Sequence, residues 1–213
     1  MNDASSDLIE PDWDRSYPLP GGARADWRRD PKAQLAYGAF PTRSEVTLVW
    51  IASGALFAWT AWAGATLDWN WWQWAAAAFL ALDIGGGAVA NCLNSGKRFY
   101  HTPPAPTDSA LSRLARRPLA FAAIHIHAPA AALIFAPAVL GVGLAWYLAL
   151  LTAAALVRIT PLALARPVAA LTVTAAIAVS SRSGFIEGLE WLPAILFLKI
   201  VLGHMVREEP YGV

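Results

Sequence analysis

The feature that most constrains this chain is a series of six apolar segments, each close to the length of a helix that crosses a lipid bilayer. They cover residues 46–67, 72–94, 119–136, 139–157, 162–180 and 189–206. A helix needs about 20 mostly apolar residues to span the hydrocarbon core. Only 15% of the residues are charged, whereas soluble domains have about 25%. The sequence therefore predicts an all-α, polytopic integral membrane protein with six transmembrane helices.

The rest of the chain divides around these helices. Residues 1–45 form a polar arm rich in proline and tryptophan, residues 46–206 the six-helix domain, and residues 207–213 a short tail. The arm lacks helical periodicity; docking against the membrane domain and disorder are both open for it. The break between the third and fourth helices rests on Pro137, because proline interrupts a helix and the apolar region 118–157 is two helices long.

The distribution of basic residues predicts the orientation. With the N-terminus in the cytoplasm, 14 of the 16 lysines and arginines fall on the cytoplasmic side, as the positive-inside rule expects. Both termini are therefore predicted to be cytoplasmic, in a multi-pass protein of the cell inner membrane. The basic cluster between the second and third helices is interpreted chiefly as this topology signal, with binding of anionic lipid headgroups or a phosphorylated substrate as the less favoured alternative. Its members are Lys97, Arg98, Arg113, Arg116 and Arg117.

Composition excludes several classes of function. The net charge of +1 gives no general attraction for nucleic acid. The single cysteine, Cys92, excludes an internal disulfide and any cysteine-based zinc or iron–sulfur site within one chain. The polar N-terminus lacks the pattern of a signal peptide, so the first helix is expected to be an uncleaved anchor.

Polar residues within the apolar segments converge on the cytoplasmic half of the predicted bundle. They are Asp83 and Asn91 in the second helix, His125 and His127 in the third, and Lys199 and His204 in the sixth. Ionisable side chains are costly in hydrocarbon and usually mark a functional site. We therefore expect one polar site at this depth, in which Lys199 is a possible charge partner of Asp83. His101 is interpreted as an interface residue, and the glycines 85–87 as helix-packing residues.

The two histidines of the third helix do not share a direction on a regular helix. His125 and His127 are separated by about 160° at 100° per residue. They would bind one metal ion only if the helix were distorted. Pro129 removes the hydrogen bond to the carbonyl of His125 and so weakens the helix at this point. The simplest prediction is one histidine facing the bundle interior and one facing another helix or the interface; which is which stays open.

The leading hypothesis is a small membrane-embedded enzyme that acts on a lipid or isoprenoid-like substrate. Asp83 would serve as acid, base or ligand, Asn91 would orient substrate or a water molecule, and His125 and Lys199 would complete the catalytic group. A divalent metal ion, zinc or iron, would be bound in a site of three imidazoles. The predicted metal ligands are His125, His127 and His204.

Two other classes remain open, and with them whether the protein is an enzyme. In a proton-coupled transporter, Asp83, Lys199 and the histidines would relay protons. In a non-catalytic subunit of a larger membrane complex, one histidine would bind a haem or a chlorophyll-type pigment. The expected partners are the lipid bilayer and either further copies of the chain or a larger membrane complex, and not nucleic acid.

Overall fold

The computed structural model describes residues 16–19, 22, 24–183 and 185–211, and in these ranges five helices are long and apolar enough to cross a membrane. They are Arg43–Gly64, Trp71–Ala90, Pro118–Phe135, Pro137–Ile159 and Leu162–Ser180. The predicted all-α, membrane-spanning architecture is thus confirmed in its general form. The sixth predicted segment contains a shorter apolar helix, Leu192–His204. The beginning of the predicted arm, residues 1–15, and the end of the tail, residues 212 and 213, lie outside the described ranges.

The elements follow one another as a helical bundle with a small hairpin before it. The strands β1, Ser16–Pro18, and β2, Arg24–Asp26, pair in antiparallel fashion. The helices are α1, Arg43–Gly64; α2, Trp71–Ala90; α3, Asn94–His101; α4, Ala110–Ala115; α5, Pro118–Ala123; α6, His127–Phe135; α7, Leu140–Ile159; α8, Leu162–Ser180; and α9, Leu192–Phe197, which continues as the π-helix Leu198–His204. The predicted break at Pro137 is confirmed, since a 3₁₀ turn, Pro137–Val139, separates α6 from α7.

Two of the predicted helices end differently from expectation. The third spanning helix, Pro118–Phe135, is interrupted, because α5 ends at Ala123 and α6 begins at His127. The second ends at Ala90, and Asn94, its expected last residue, instead begins α3. Hydropathy could not locate these ends, since the residues on both sides of the break in the third segment are apolar.

The first two spanning helices begin with a reciprocal cap. Thr42 and Glu45 form a capping box at α1, and Asn70 and Gln73 form another at α2, which satisfies backbone N–H groups that have no partner within the helix. α1 then packs closely on α2, because a Cβ atom at Gly86 would lie 2.3 Å from Ser53 Oγ. The packing role expected for this glycine is therefore confirmed.

α9 and the π-helix form the centre of the bundle. They contact α2, α7 and α8, and most of their side chains are buried. Leu192, Ile200 and Val201 are fully enclosed. Most residues of this element therefore lie inside the protein, including the predicted site residues Lys199 and His204.

The arm and the tail meet on one side of the bundle in a unit that we call the polar cap: the hairpin, residues 27–42, α3 and residues 207–211. Arg98 holds it together through three backbone oxygens, with Nε donating to Asp26 at 2.9 Å, Nη1 to Ala39 at 2.9 Å and Nη2 to Tyr211 at 2.8 Å. The fully buried Trp27 donates from Nε1 to the carboxylate of Glu209 at 2.6 Å. The described part of the arm is therefore docked, with Trp27 enclosed by the rest of the cap.

The basic cluster after α2 is partly internal, which differs from its interpretation as a topology signal alone. Lys97 and Arg98 are each only 2% exposed, and Arg116 is paired with Asp108 at 2.8 Å. Burial lowers the pKa of Lys97, and the nearby Glu208 carboxylate opposes that shift. These side chains use their donors within the protein, which leaves Arg113 and Arg117 as the exposed members of the cluster.

Candidate functional site

Asp83 is the centre of a charged cluster that joins three elements of the membrane-spanning bundle. Its Oδ2 atom lies 2.7 Å from Nζ of Lys199 and 3.4 Å from Nε2 of His127. The residues come from α2, the π-helix and α6. The expected ion pair of Asp83 with Lys199 is therefore present, and His127 is added to it. Asp83 lies seven residues before the end of α2, which is about 10 Å along the helix from the polar cap.

Gly87 makes the ion pair possible. It follows Asp83 by one helical turn on the same face of α2. A Cβ atom at this position would lie 2.5 Å from Cε and 2.9 Å from Nζ of Lys199. The lysine side chain therefore reaches Asp83 across the surface of the glycine, so Gly87 has a role distinct from the packing of Gly86 on α1.

We expect Gly87→Ala to separate Lys199 from Asp83 without unfolding the helices. The new methyl group displaces the flexible end of the lysine, while alanine is favoured over glycine in a helix by about 1 kcal/mol. A carboxylate deprived of its ammonium partner in an apolar environment is neutralised by a proton. The infrared spectrum should then gain the C=O stretch of a protonated carboxyl group, and Asp83→Asn in the same background should remove it.

The matched control is Gly54→Ala in α1, where an added Cβ would meet nothing within 4 Å. This variant should keep the infrared spectrum of the unmodified protein. An unchanged carboxyl region in Gly87→Ala would contradict the assigned role of the glycine.

The break between α5 and α6 brings the two histidines of the third segment together. At the break, the N–H of His125 donates to Ala122 O, and that of Ile126 to Ile124 O, so the regular pattern of helical hydrogen bonds is lost before Pro129. The imidazole Nδ1 of His125 lies 2.6 Å from Phe121 O; since a carbonyl only accepts, Nδ1 carries the hydrogen. The separation of about 160° expected for a regular helix therefore does not apply, because the helix is interrupted here, and the ring centroids are 5.2 Å apart. His125 is buried, while His127 faces Asp83 on α2, as one interior histidine and one facing another helix were expected to do.

All four histidines form a row of rings from the charged cluster to α3, which we call the histidine row: His127, His125, His204 and His101, with Phe121 inserted. Phe121 lies between His125, at 4.5 Å, and His204, at 4.4 Å, measured between ring centroids. His204 and His101 follow at 6.2 Å. His101, expected to be a plain interface residue, thus forms the end of the row.

Several nitrogens of the row are buried and have no hydrogen-bond partner among the described residues. They are Nδ1 of His127, both ring nitrogens of His204 and Nε2 of His101. Buried polar atoms usually have a partner, and exceptions often mark functional groups. In α3, outside the spanning helices, burial and the charge of Lys97 lower the pKa of His101 to about 3, so its imidazole is neutral at physiological pH.

The predicted metal site is not assembled. Within the described ranges, no group of three or more His, Cys, Asp or Glu side chains is arranged to hold a metal ion. The physical reason is Phe121, whose ring separates His125 and His127 from His204. The three imidazoles follow one another along the row and do not converge on one point.

Asn91 supports the backbone of the π-helix. It is 2% exposed, and its Nδ2 donates to Lys199 O at 2.9 Å. Lys97 serves the far end of the same element, donating from Nζ to Gly203 O at 2.5 Å and Val206 O at 2.7 Å. Asn91, just after α2, and Lys97 of α3 thus bind carbonyls in and beside the π-helix. A π-helix is a rare element that often occurs at functional sites. The amide predicted to orient substrate is bound to backbone.

The charged cluster is partly exposed at the lateral surface of the bundle. The side chain of Asp83 is 37% exposed, that of His127 17% and that of Lys199 6%. Oδ1 of Asp83 makes no hydrogen bond to any described residue, while Oδ2 faces both Lys199 and His127. One carboxylate oxygen therefore remains available at the surface of the bundle.

Sequence reasoning missed Phe121 and Tyr100 as parts of the site. Tyr100 contacts the ring of His204 at 4.5 Å, and Phe121 contacts that same ring. The available signal was spacing, since Phe121 precedes His125 by four residues and Tyr100 is the neighbour of His101 in the sequence.

Comparisons with protein-family models, with curated proteins and with solved structures find no match for this chain.

Proposed function

We propose that the protein is a multi-pass protein of the cytoplasmic membrane that moves protons across it, as a proton-coupled carrier does, with Asp83 and the histidine row forming the cytoplasmic half of the path. The observation that carries the proposal is the Asp83 carboxylate, shared by Lys199 and His127 at the start of the histidine row. Acidic and histidine side chains in series within a helical bundle are typical of proton pathways. The row leads from Asp83 to the polar cap.

The proposed topology has six crossings with both termini in the cytoplasm. The sixth would consist of α9, the π-helix and the buried residues before them. Its support is the polar cap, where Asp26 N donates to Pro210 O at 2.8 Å, because arm and tail meet on one side only after an even number of crossings. The basic residues of the arm and of the α2–α5 connection favour the cytoplasm for that side.

The first two imidazoles of the row have distinct parts in the proposed transfer. A neutral imidazole accepts a proton on one nitrogen and releases one from the other. His127 receives the proton of Asp83 at Nε2, and His125 accepts at Nε2 because Phe121 O holds its Nδ1–H. Phe121 O cannot take the proton from Nδ1, so His125 passes a proton on from Nε2 after its ring has turned. A bridging water carries that proton past the Phe121 ring to His204, and a second transfer reaches His101. Lys199 balances the carboxylate once Asp83 has lost its proton.

Proton flux into proteoliposomes tests this function. The protein is reconstituted in vesicles that contain a pH-sensitive dye, and a potassium diffusion potential drives protons inward. We expect flux in the unmodified protein and none with Asp83→Asn, since the amide does not titrate. The matched control is Asp68→Asn in the exposed α1–α2 connection, which should retain the flux. Unmodified protein that performs like empty vesicles, or Asp83→Asn that retains flux, would overturn the proposal.

A second candidate is a small membrane enzyme acting on a lipid or isoprenoid-like substrate, and the sideways exposure of Asp83 favours it. With Oδ1 accessible from the lipid phase, Asp83 and His127 would act together as a general base on a substrate in the bilayer. Incubation of the protein with extracted membrane lipids, followed by mass spectrometry, tests it. A lipid profile that is the same for the unmodified protein and Asp83→Asn would reject this candidate.

A further inference from the structure

The opening beside Asp83 has a chemical character that selects its ligand. The side chain of Asp83 is 37% exposed, and its Oδ1 is an acceptor without a hydrogen bond to any described residue, so the complementary group on a ligand is a hydrogen-bond donor. An uncompensated polar atom facing hydrocarbon is costly. A donor from the lipid phase would remove that cost.

The charges of the cluster favour a neutral donor. Lys199, 2.7 Å from Oδ2, already neutralises the carboxylate. A cationic headgroup would place a second positive charge beside the ammonium, and an anionic one would face the carboxylate. Both arrangements are unfavourable where the effective dielectric constant is low. A hydroxyl group donates one hydrogen bond without adding charge.

The surroundings indicate an apolar tail. Phe79 lies one turn before Asp83 on the same face of α2 and is 63% exposed, and Ile126, next to His127, is 54% exposed. In a spanning segment such side chains contact lipid chains, so a ligand reaches Oδ1 through the acyl-chain layer.

From this geometry we infer that the opening between α2 and α6 binds a neutral lipid alcohol, whose hydroxyl donates to Oδ1 of Asp83 while its tail lies along Phe79 and Ile126. The inference rests on the proposed function in one respect: Asp83 is the group that exchanges protons, and the bound hydroxyl lies beside it. The shared chemistry is a hydroxyl on an apolar tail, and a prenol, a quinol and a diacylglycerol all supply it.

Thermal unfolding of the purified protein in detergent tests the site. Farnesol should raise the melting temperature, and farnesyl methyl ether, which has no donor, should bind about tenfold more weakly or worse. A short-chain quinol and a diacylglycerol, titrated in parallel, identify the source of the hydroxyl by their relative affinities. Equal stabilisation by farnesol and its ether would overturn the inference.

The binding-deficient variant is Asp83→Leu with Lys199→Leu, because Asp83→Leu alone leaves a buried ammonium unpaired. Farnesol should no longer be distinguished from its ether in this variant, and Asp68→Asn should still distinguish them. Retained selectivity in the double variant would reject the site. The binding assay uses no pH gradient, so it is independent of the flux assay. Selective binding of farnesol without proton flux would reject the carrier function and support the alcohol site. Proton flux without selective binding would support the carrier function and reject the alcohol site.

A second copy of the chain is the competing occupant of the same opening. Phe79→Cys, made in a Cys92→Ser background, reports on it through oxidative cross-linking in membranes. We expect monomer only. Rapid formation of a disulfide-linked dimer would show that another protomer covers Asp83 and would overturn the lipid assignment.

Discussion

Replacing both Asp83 and Lys199 with leucine is expected to give a more stable protein than replacing either residue alone, yet one without proton flux. Removing one partner of a buried ion pair costs about 3–5 kcal/mol, whereas replacing the whole pair with apolar side chains is often neutral. Asp83→Leu should be the most destabilised variant, because it leaves the 6%-exposed Lys199 unpaired. Lys199→Leu should cost less, since the Asp83 carboxylate is partly exposed.

Unfolding free energies of the four proteins, measured in one detergent, check this cycle, and the flux assay is run on the same preparations. The comparison separates two roles of the ion pair. If the pair only fixes the packing of α2 against the π-helix, the double variant should recover both stability and flux. A double variant that is as unstable as Asp83→Leu would contradict the assigned pairing.

Arg98→Met is expected to release the arm and the tail from the membrane domain. The guanidinium binds carbonyl oxygens in β2, in the connection to α1 and at Tyr211. Each hydrogen bond to a charged group contributes about 1.5–3 kcal/mol, and methionine fills a similar volume without a donor. The measurement is limited trypsin digestion, which should cleave within residues 24–43 much faster than in the unmodified protein.

The control for this prediction is Arg117→Met, which removes an exposed arginine of the same connection. It should leave the digestion pattern of the arm unchanged. Equal protection of the arm in Arg98→Met would show that Trp27 and the backbone contacts hold the cap without the guanidinium.

The membrane-spanning architecture was predictable because it depends on the length of the apolar segments and on the proline that interrupts them. Apolar length located five of the helices, and Pro137 located the connection between α6 and α7. The depth of the polar residues followed from helix direction, which is why the contact between Asp83 and Lys199 was foreseen. The helical rise per residue and the assumed cytoplasmic N-terminus were enough to predict that these two residues lie at a similar depth.

The finer geometry of the site was not predictable, since it depends on departures from the regular helix. Pro129 gave a hint of the break at residues 124–126, but the change in direction of His127 relative to His125 is a tertiary result. The π-helix has no local signal, because two of its carbonyls, of Lys199 and Gly203, accept from Asn91 and Lys97, which lie about 100 residues earlier in the chain. Lys97 and Arg98 were interpreted chiefly as a topology signal for the same reason: their acceptors are distant backbone oxygens.

The polar cap also orders events during synthesis. Trp27 and Glu209 are 182 residues apart in the chain. At a translation rate of about 5–20 residues per second, Glu209 is synthesised roughly 10–35 s after Trp27, whose indole it binds. During that time the arm has no tail to dock against, and Arg98 lacks one of its three acceptors. The polar cap forms only after α9 and the π-helix have been synthesised. Protection of the arm from trypsin therefore indicates that the whole bundle has been assembled.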